Sequence, residues 1–293
     1  MSEIRPRRSA LAMPGSNARA IEKARGLACD VVILDLEDGV APEMKDDARR
    51  AVAEAVAGRG FGRREVVVRI NPPDTEAGEA DLAALAVAGP DAVLVPKVRN
   101  SDALIAAGSR LRRLGAPPHT RIWAMIENPM AVVNAAEIAG AARDVDARLA
   151  ALVVGPTDLM AAARIRPPGR AALVPWLMQV LAAARAHEVD AIDGVFSRLH
   201  DADGFQAECT EGRDLGFDGK MLIHPGQIGP ANVAFGPDAA EIAEARRIAA
   251  AFDAPEDRER GVVVVDGRMV ERLHAEAARR TLAMAEAIGR LAG

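Results

Sequence analysis

The stretch "VVILDLEDGVAP" (residues 31–42) opens as an unbroken apolar run and then places Asp35, Glu37 and Asp38 within four positions. A continuous branched apolar run of this length reads as a strand buried on both faces, the pattern of a parallel sheet. Burying carboxylates without partners costs several kcal/mol. The acids therefore belong at the end of the strand, where the chain leaves the core. Side chains alternate along a strand, so Asp35 and Glu37 share one face with Ile33, and Asp38 begins the loop as a cap.

The same rhythm repeats on either side. Short β-prone runs, "SALAM" (9–13), "EVVVRI" (65–70), "AVLVPKV" (92–98), "RIWAMIE" (121–127), "LAALVVG" (149–155), "AIDGVFS" (191–197) and "KMLIHP" (220–225), alternate with Ala/Glu/Arg-rich stretches of helical spacing. Strand–helix alternation predicts a parallel sheet. Eight units over residues 1–235 match a (β/α)8 TIM barrel, typically about 250 residues. A doubly wound open sheet is the runner-up, but no glycine-rich phosphate turn follows the first strand. Residues 236–293 fall outside the eightfold count: a helical stretch, the charged "APEDRERG" (254–261), a short strand and a long helix. They form a C-terminal extension that packs on its own barrel or reaches a neighbour as a lid.

The 293 residues are half hydrophobic and 27% charged, with a net charge of -5, which argues against a nucleic-acid surface. No apolar stretch reaches membrane-spanning length. The two cysteines fit no zinc or disulfide pattern. A cytoplasmic protein is the expectation.

Barrel chemistry sits at the C-terminal ends of the strands. Arg69 ends the third strand, where its planar guanidinium can hold a carboxylate through two parallel hydrogen bonds, with Asp35 or Glu37 as counter-charge. Lys97, one of four lysines in the chain, ends the fourth and is either a Schiff-base nucleophile or a supporting charge. Glu127 and Asp158 end the fifth and sixth. Adjacent strands lie about 4.8 Å apart, so these two carboxylates can converge on one hard cation such as magnesium, although Asp158 also reads as a helix cap. Arg19 and Lys23, four residues apart on the first helix, are either a solvated face or an anion site at the mouth.

In this order, "RSALAMPGSNARAIEKA", "DVVILDLEDGVAP", "VVVRIN", "VLVPKV", "MIENP", "GPTDLM", "DGFQAECTEGRDLGFDGKMLIHPGQI" and "DGRMVERLH" resemble the citrate lyase β-subunit-like (CitE-like) CoA-ester lyases of the HpcH/HpaI aldolase superfamily. The resemblance implies a magnesium-dependent (manganese is an alternative) lyase that cleaves or forms the C–C bond of a 3-hydroxyacyl-CoA such as malyl-CoA, citramalyl-CoA or citryl-CoA. The products are a 2-oxo acid and a short acyl-CoA. Alternatives in the same pocket are a malyl-CoA thioesterase, a subunit needing a partner acyl carrier, and a CoA-independent aldolase. It also implies a homo-oligomer, trimeric or hexameric. By family pattern Glu127 and Asp158 hold the metal, Glu127 also borders the substrate, and Arg69 takes the oxo-acid carboxylate. Asp35 and Glu37 order water or the reacting oxygen, and Arg19 and Lys23 meet the CoA phosphates. Glu271, within "DGRMVE", stands where the family's lid carries an aspartate, on its own or a neighbouring subunit's site.

Overall fold

Alternate positions of each strand carry apolar side chains on both faces, and the computed structural model, which describes residues 4–166, 169–253 and 261–292, closes them into a barrel. The parallel strands are β1 (Ser9–Pro14), β2 (Val31–Asp35), β3 (Glu65–Arg69), β4 (Ala92–Val95), β5 (Arg121–Ile126), β6 (Leu149–Val154), β7 (Asp190–Asp193) and β8 (Gly219–Leu222). Each hydrogen-bonds to the next, and β8 pairs back onto β1 through Ser9–Lys220 and Leu11–Leu222. The expected (β/α)8 barrel is therefore the observed fold, with helices between the strands.

Two apolar layers follow from the alternation. Ile33, Val67, Leu94, Trp123, Val153 and Met221 fill the barrel interior. Val32, Leu34, Val68, Val93 and Leu152 point outward beneath the helices. All eight expected strands are present, but most end earlier than the apolar runs suggest. At β2 the reason is local: Asp35 accepts the backbone N–H groups of Glu37 and Gly39, both at 2.9 Å, and so bends the chain out of the ladder. Asp38 caps no helix, because the short turn Pro42–Met44 is preceded by Ala41.

The C-terminal extension comprises helix Ala239–Asp253, an antiparallel hairpin of β9 (Val262–Val265) and β10 (Arg268–Glu271), and helix Arg272–Ala292. Asp266 and Gly267 both take positive φ at its turn, which suits the twist of a tight hairpin. Val263 and Val270 pack against Phe252 and Ala275. Up to residue 260, the charged segment expected at 254–261 lies outside the described residues. Arg280 stands 3.6 Å from Asp218 and 3.9 Å from Asp190, and Arg63 donates to the carbonyl of Arg290 at 3.0 Å. These partners lie at the start of β7 and just before β8 and β3, so the last helix is tied to the face opposite the strand tips. Among the described residues no helix is long and apolar enough to cross a membrane.

Candidate active site

Asp35 and Arg69 stand in register on β2 and β3. Arg69 donates from Nε and Nη2 to the two Asp35 oxygens, at 2.7 and 2.6 Å. With the Glu37 and Gly39 amides added, each Asp35 oxygen accepts two bonds, so this carboxylate serves to hold the arginine. Only two of the five guanidinium N–H groups are spent in this way. The fork of the Nη1–Nη2 edge makes no aligned hydrogen bond among the described residues.

Glu37 lies next to that fork, its Oε2 3.0 Å from Arg69 Nη1. The contact lies off the line of an N–H, and this buried oxygen has no aligned hydrogen bond. Burial pushes the Glu37 carboxyl up to about 7, helped by the charges of Asp38 and Glu127 and opposed by Arg69 and Lys97. Lys45, which sequence reasoning passed over, pins the same tip. Its ammonium donates to the carbonyls of Leu36 and Glu37, at 2.7 and 2.6 Å, and to Asn71 Oδ1 at 2.8 Å. Its rarity as one of four lysines was the available signal.

β5 and β6 pair as expected, and they bring Glu127 and Asp158 to one side of the mouth. Asp158 lies in the first turn of helix Pro156–Ala163, but Gly155 holds the cap position. Glu127 is buried, and burial raises its pKa, with Asp158 adding to the rise and the Lys97 amide opposing it. Gly155 makes room for it: a Cβ there would stand 2.5 Å from Glu127 Cβ.

Lys97 sits at the centre of this group. Its Nζ is 2.5 Å from Asp158, 3.3 Å from Asp38, 3.5 Å from Glu37 and 3.8 Å from Glu127. Its backbone N–H donates to Glu127 Oε1 at 2.6 Å. A φ of 53° permits this double use, a strained conformation for a residue with a side chain, costing on the order of 1–3 kcal/mol. Although burial lowers the Lys97 pKa, the Asp158 hydrogen bond and the surrounding carboxylates outweigh it and hold the pKa above the ordinary lysine value. That is the opposite of what a Schiff-base nucleophile requires.

A cavity of about 410 Å3 opens above these residues, with Asp35, Asp38, Arg69, Glu127 and Asp158 at its polar end. Met125, Val154, Val195 and Ile223 form an apolar wall. Arg19 and Lys23 lie exposed on helix Ala18–Ala24, which follows β1 at the same end of the barrel. Glu271 is not part of the group: it is exposed at the end of β10, where its backbone N–H donates to His274 Nδ1 at 3.0 Å.

Among the described residues no three His, Cys, Asp or Glu side chains are preassembled around a metal position. The donor chemistry nevertheless fits a hard divalent cation. Every donor is a carboxylate oxygen, Glu37 Oε2 is buried without an aligned partner, and a cationic ammonium already lies among four of the carboxylates. Magnesium is held by one or two such groups, with water and substrate completing its shell.

Known proteins resemble the chain over almost its whole length. The chain is 46% identical over 288 residues to a (3S)-malyl-CoA thioesterase of Cereibacter sphaeroides, covering 98% of this chain and 97% of the relative. It is 34% identical over 293 residues to the citrate lyase subunit beta of Escherichia coli K12, covering 98% and 96%. The crystal structure of CitE from Mycobacterium tuberculosis in complex with magnesium, acetoacetate and coenzyme A superposes with a TM-score of 0.73 at 31% identity, covering 96% and 97%. Residues 8–225, from the first strand to the end of the eighth, match one family throughout, and with this barrel and acidic mouth the chain belongs to the HpcH/HpaI aldolase/citrate lyase family.

Proposed function

We propose that the chain is a magnesium-dependent enzyme acting on a 3-hydroxyacyl-CoA of the malyl type, splitting or forming its C–C bond between a 2-oxo acid and a short acyl-CoA. One observation carries the reading: the Nη1–Nη2 edge of Arg69, which makes no aligned hydrogen bond among the described residues, lies beside a cluster of four carboxylates suited to a hard cation. A substrate with a carboxylate next to an alcohol needs both. The named activities and ligands of the relatives support it.

Glu127 and Asp158 hold the ion. Bound magnesium supplies Lewis-acid stabilisation of the negative charge that develops on the substrate's hydroxyl oxygen. Arg69 receives the substrate carboxylate on its Nη1–Nη2 edge while Asp35 fixes the guanidinium from behind, so the scissile bond is oriented before reaction. Glu37 positions water or the reacting oxygen beside the arginine. The wall of Met125, Val154, Val195 and Ile223 excludes water from the acyl group. Arg19 and Lys23 meet the CoA phosphates at the rim. Glu271 completes the site only in a homo-oligomer, from a second copy.

A second reading has its own support. The 46% identity, over nearly the whole of both chains, is to a thioesterase. In that reaction water attacks the thioester carbonyl, the C–S bond breaks, and free CoA and the hydroxy acid leave. A panel of hydroxyacyl-CoA esters with Mg2+, scoring free CoA and 2-oxo acid separately, tests both. Oxo acid without free CoA supports the lyase, free CoA without oxo acid supports the thioesterase, and neither product from any ester overturns the proposal.

A further inference from the structure

We infer that Lys97 is a tethered cation in the metal position, which must withdraw before a divalent ion can enter and which thereby sets the affinity and timing of metal binding. The inference rests on the magnesium reading above and adds a residue to it.

The first support is steric and electrostatic. Lys97 Nζ lies 2.5 Å from Asp158 and 3.8 Å from Glu127, the two carboxylates assigned to the ion. Magnesium binds oxygen at about 2.1 Å, so an ion held by those same oxygens would fall against the ammonium. Two cations at that separation repel, and both compete for the same lone pairs. The ammonium and the ion are alternative occupants.

The second support is that Lys97 is built to do both jobs. Its backbone N–H bonds Glu127 Oε1 and therefore keeps that carboxylate aimed at the cluster whichever cation is present. The φ of 53° places the amide and the side chain on the same target. Only the side chain has to move. It is 40% exposed, so the way out is open, and Asp38, 65% exposed at the rim and already 3.3 Å from Nζ, is the carboxylate it can retain on leaving. A lysine suits this part because its ammonium rides on a flexible stem, whereas a guanidinium would lock into a fork.

The third support is charge. Glu37, Asp38, Glu127 and Asp158 gather four carboxyl groups around the ammonium, while Arg69 lies against Asp35 and Glu37. The lysine relieves their mutual repulsion. A divalent ion does so better, and it frees one positive charge to face an incoming anionic substrate. Metal entry and substrate recruitment are thereby linked.

The test uses the full chain and Mg2+ itself. Calorimetric titration compares the natural protein with Lys97→Met, which keeps the stem and removes the charge. The natural protein is also reductively methylated with and without MgCl2, at ionic strength matched by NaCl. Labelling at Lys23, Lys45, Lys97 and Lys220 is read by mass spectrometry. We expect Mg2+ to bind Lys97→Met about tenfold more tightly or better, as removal of a competing charge at contact distance requires. We expect Lys97 to label several-fold faster in Mg2+, with Lys220, fully buried, unchanged. The labelling needs no variant, so a poorly folding Lys97→Met leaves the test intact. Mg2+ binding with unchanged labelling of Lys97, or unchanged affinity in Lys97→Met, overturns the inference and leaves the metal reading standing. No Mg2+ binding by either protein overturns both.

Discussion

Arg69 and Asp35 face each other in register across β2 and β3, joined by two parallel hydrogen bonds of 2.7 and 2.6 Å at the mouth of the barrel. Neither residue is free to turn away, since Asp35 is also held by two backbone amides. The arginine is thus presented to the cavity by a partner that the backbone itself holds in place.

Removing that partner should be costly. Asp35→Asn leaves the Arg69 charge without its main counter-ion, and breaking a buried pair in this way costs about 3–5 kcal/mol. Urea denaturation measures the loss. Arg69→Lys should keep the fold and lower kcat/KM by about tenfold or more, because an ammonium cannot offer the planar fork. An unchanged KM for the carboxylate-bearing substrate would remove Arg69 from the binding role.

Metal removal gives a separate expectation. EDTA should abolish turnover and Mg2+ should restore it, and Glu127→Gln should lose both metal binding and activity. Borohydride plus substrate should not inactivate, because Lys97 is held as an ammonium by its carboxylates. Activity that persists in EDTA together with inactivation by borohydride would return the chemistry to Lys97.

Gly155→Ala should weaken Mg2+ binding while leaving the barrel folded. The new Cβ would meet Glu127 Cβ at 2.5 Å and push that carboxylate out of line. Calorimetry reads the affinity and circular dichroism the fold. Unaltered affinity would show that Glu127 need not stand where Gly155 allows it.

A second ion cluster lies outside the barrel wall. Lys220, fully buried, donates to Asp193 at 2.7 Å and Glu208 at 2.8 Å, and Arg170 donates to Asp193 at 3.1 and 3.0 Å. Burial raises the Asp193 pKa, but Lys220 and Arg170 outweigh it and hold it below the ordinary value. A carboxyl lowered in the fold stabilises fully above its unfolded pKa of about 3.9, and that contribution is lost as pH falls through the folded value. Asp193→Asn should therefore cost about 3–5 kcal/mol at neutral pH. The gap to the natural protein should narrow below about pH 4. A gap independent of pH would mean that the charge on Asp193 contributes nothing.

Cys29 and Cys209 are buried, and burial pushes their thiols up to about 11 and about 12. Both should resist a disulfide reagent at pH 8 in the native protein and both should react in denaturant, since the thiolate is the nucleophile. Rapid labelling of either in the native state would contradict its placement.

Much of this was legible in the chain. Apolar runs mark the strands because burial on both faces leaves few polar positions inside them, and one that occurs, Lys220 in β8, is paired with Asp193 and Glu208. For the same reason Asp35, Glu37, Arg69, Glu127 and Asp158 stand out at the strand tips. What escaped was polar and distant in sequence. Lys45 reads as an ordinary first-turn lysine, and only the fold sets it against Asn71, 26 residues away. Asp193 and Lys220 lie within "AIDGVFS" and "KMLIHP" without any mark of pairing, and their shared partner Glu208 comes from helix Ala202–Leu215. The two roles considered for Lys97 looked alike in sequence, because its pKa depends on carboxylates contributed by three other strand ends.

The sequence by itself determined the barrel and the chemical identity of its rim, since alternation, run length and polar tips are local properties of the chain. The tertiary structure alone decided which tips touch. Register across β2 and β3 joined Asp35 to Arg69, and the side-by-side pairing of β4, β5 and β6 carried Glu127 and Asp158 to Lys97. Arg280 against Asp218 set the last helix on the face opposite the mouth. Those outcomes depend on distances between residues remote in the chain, and Coulomb and hydrogen-bond energies act only once folding has made those distances short.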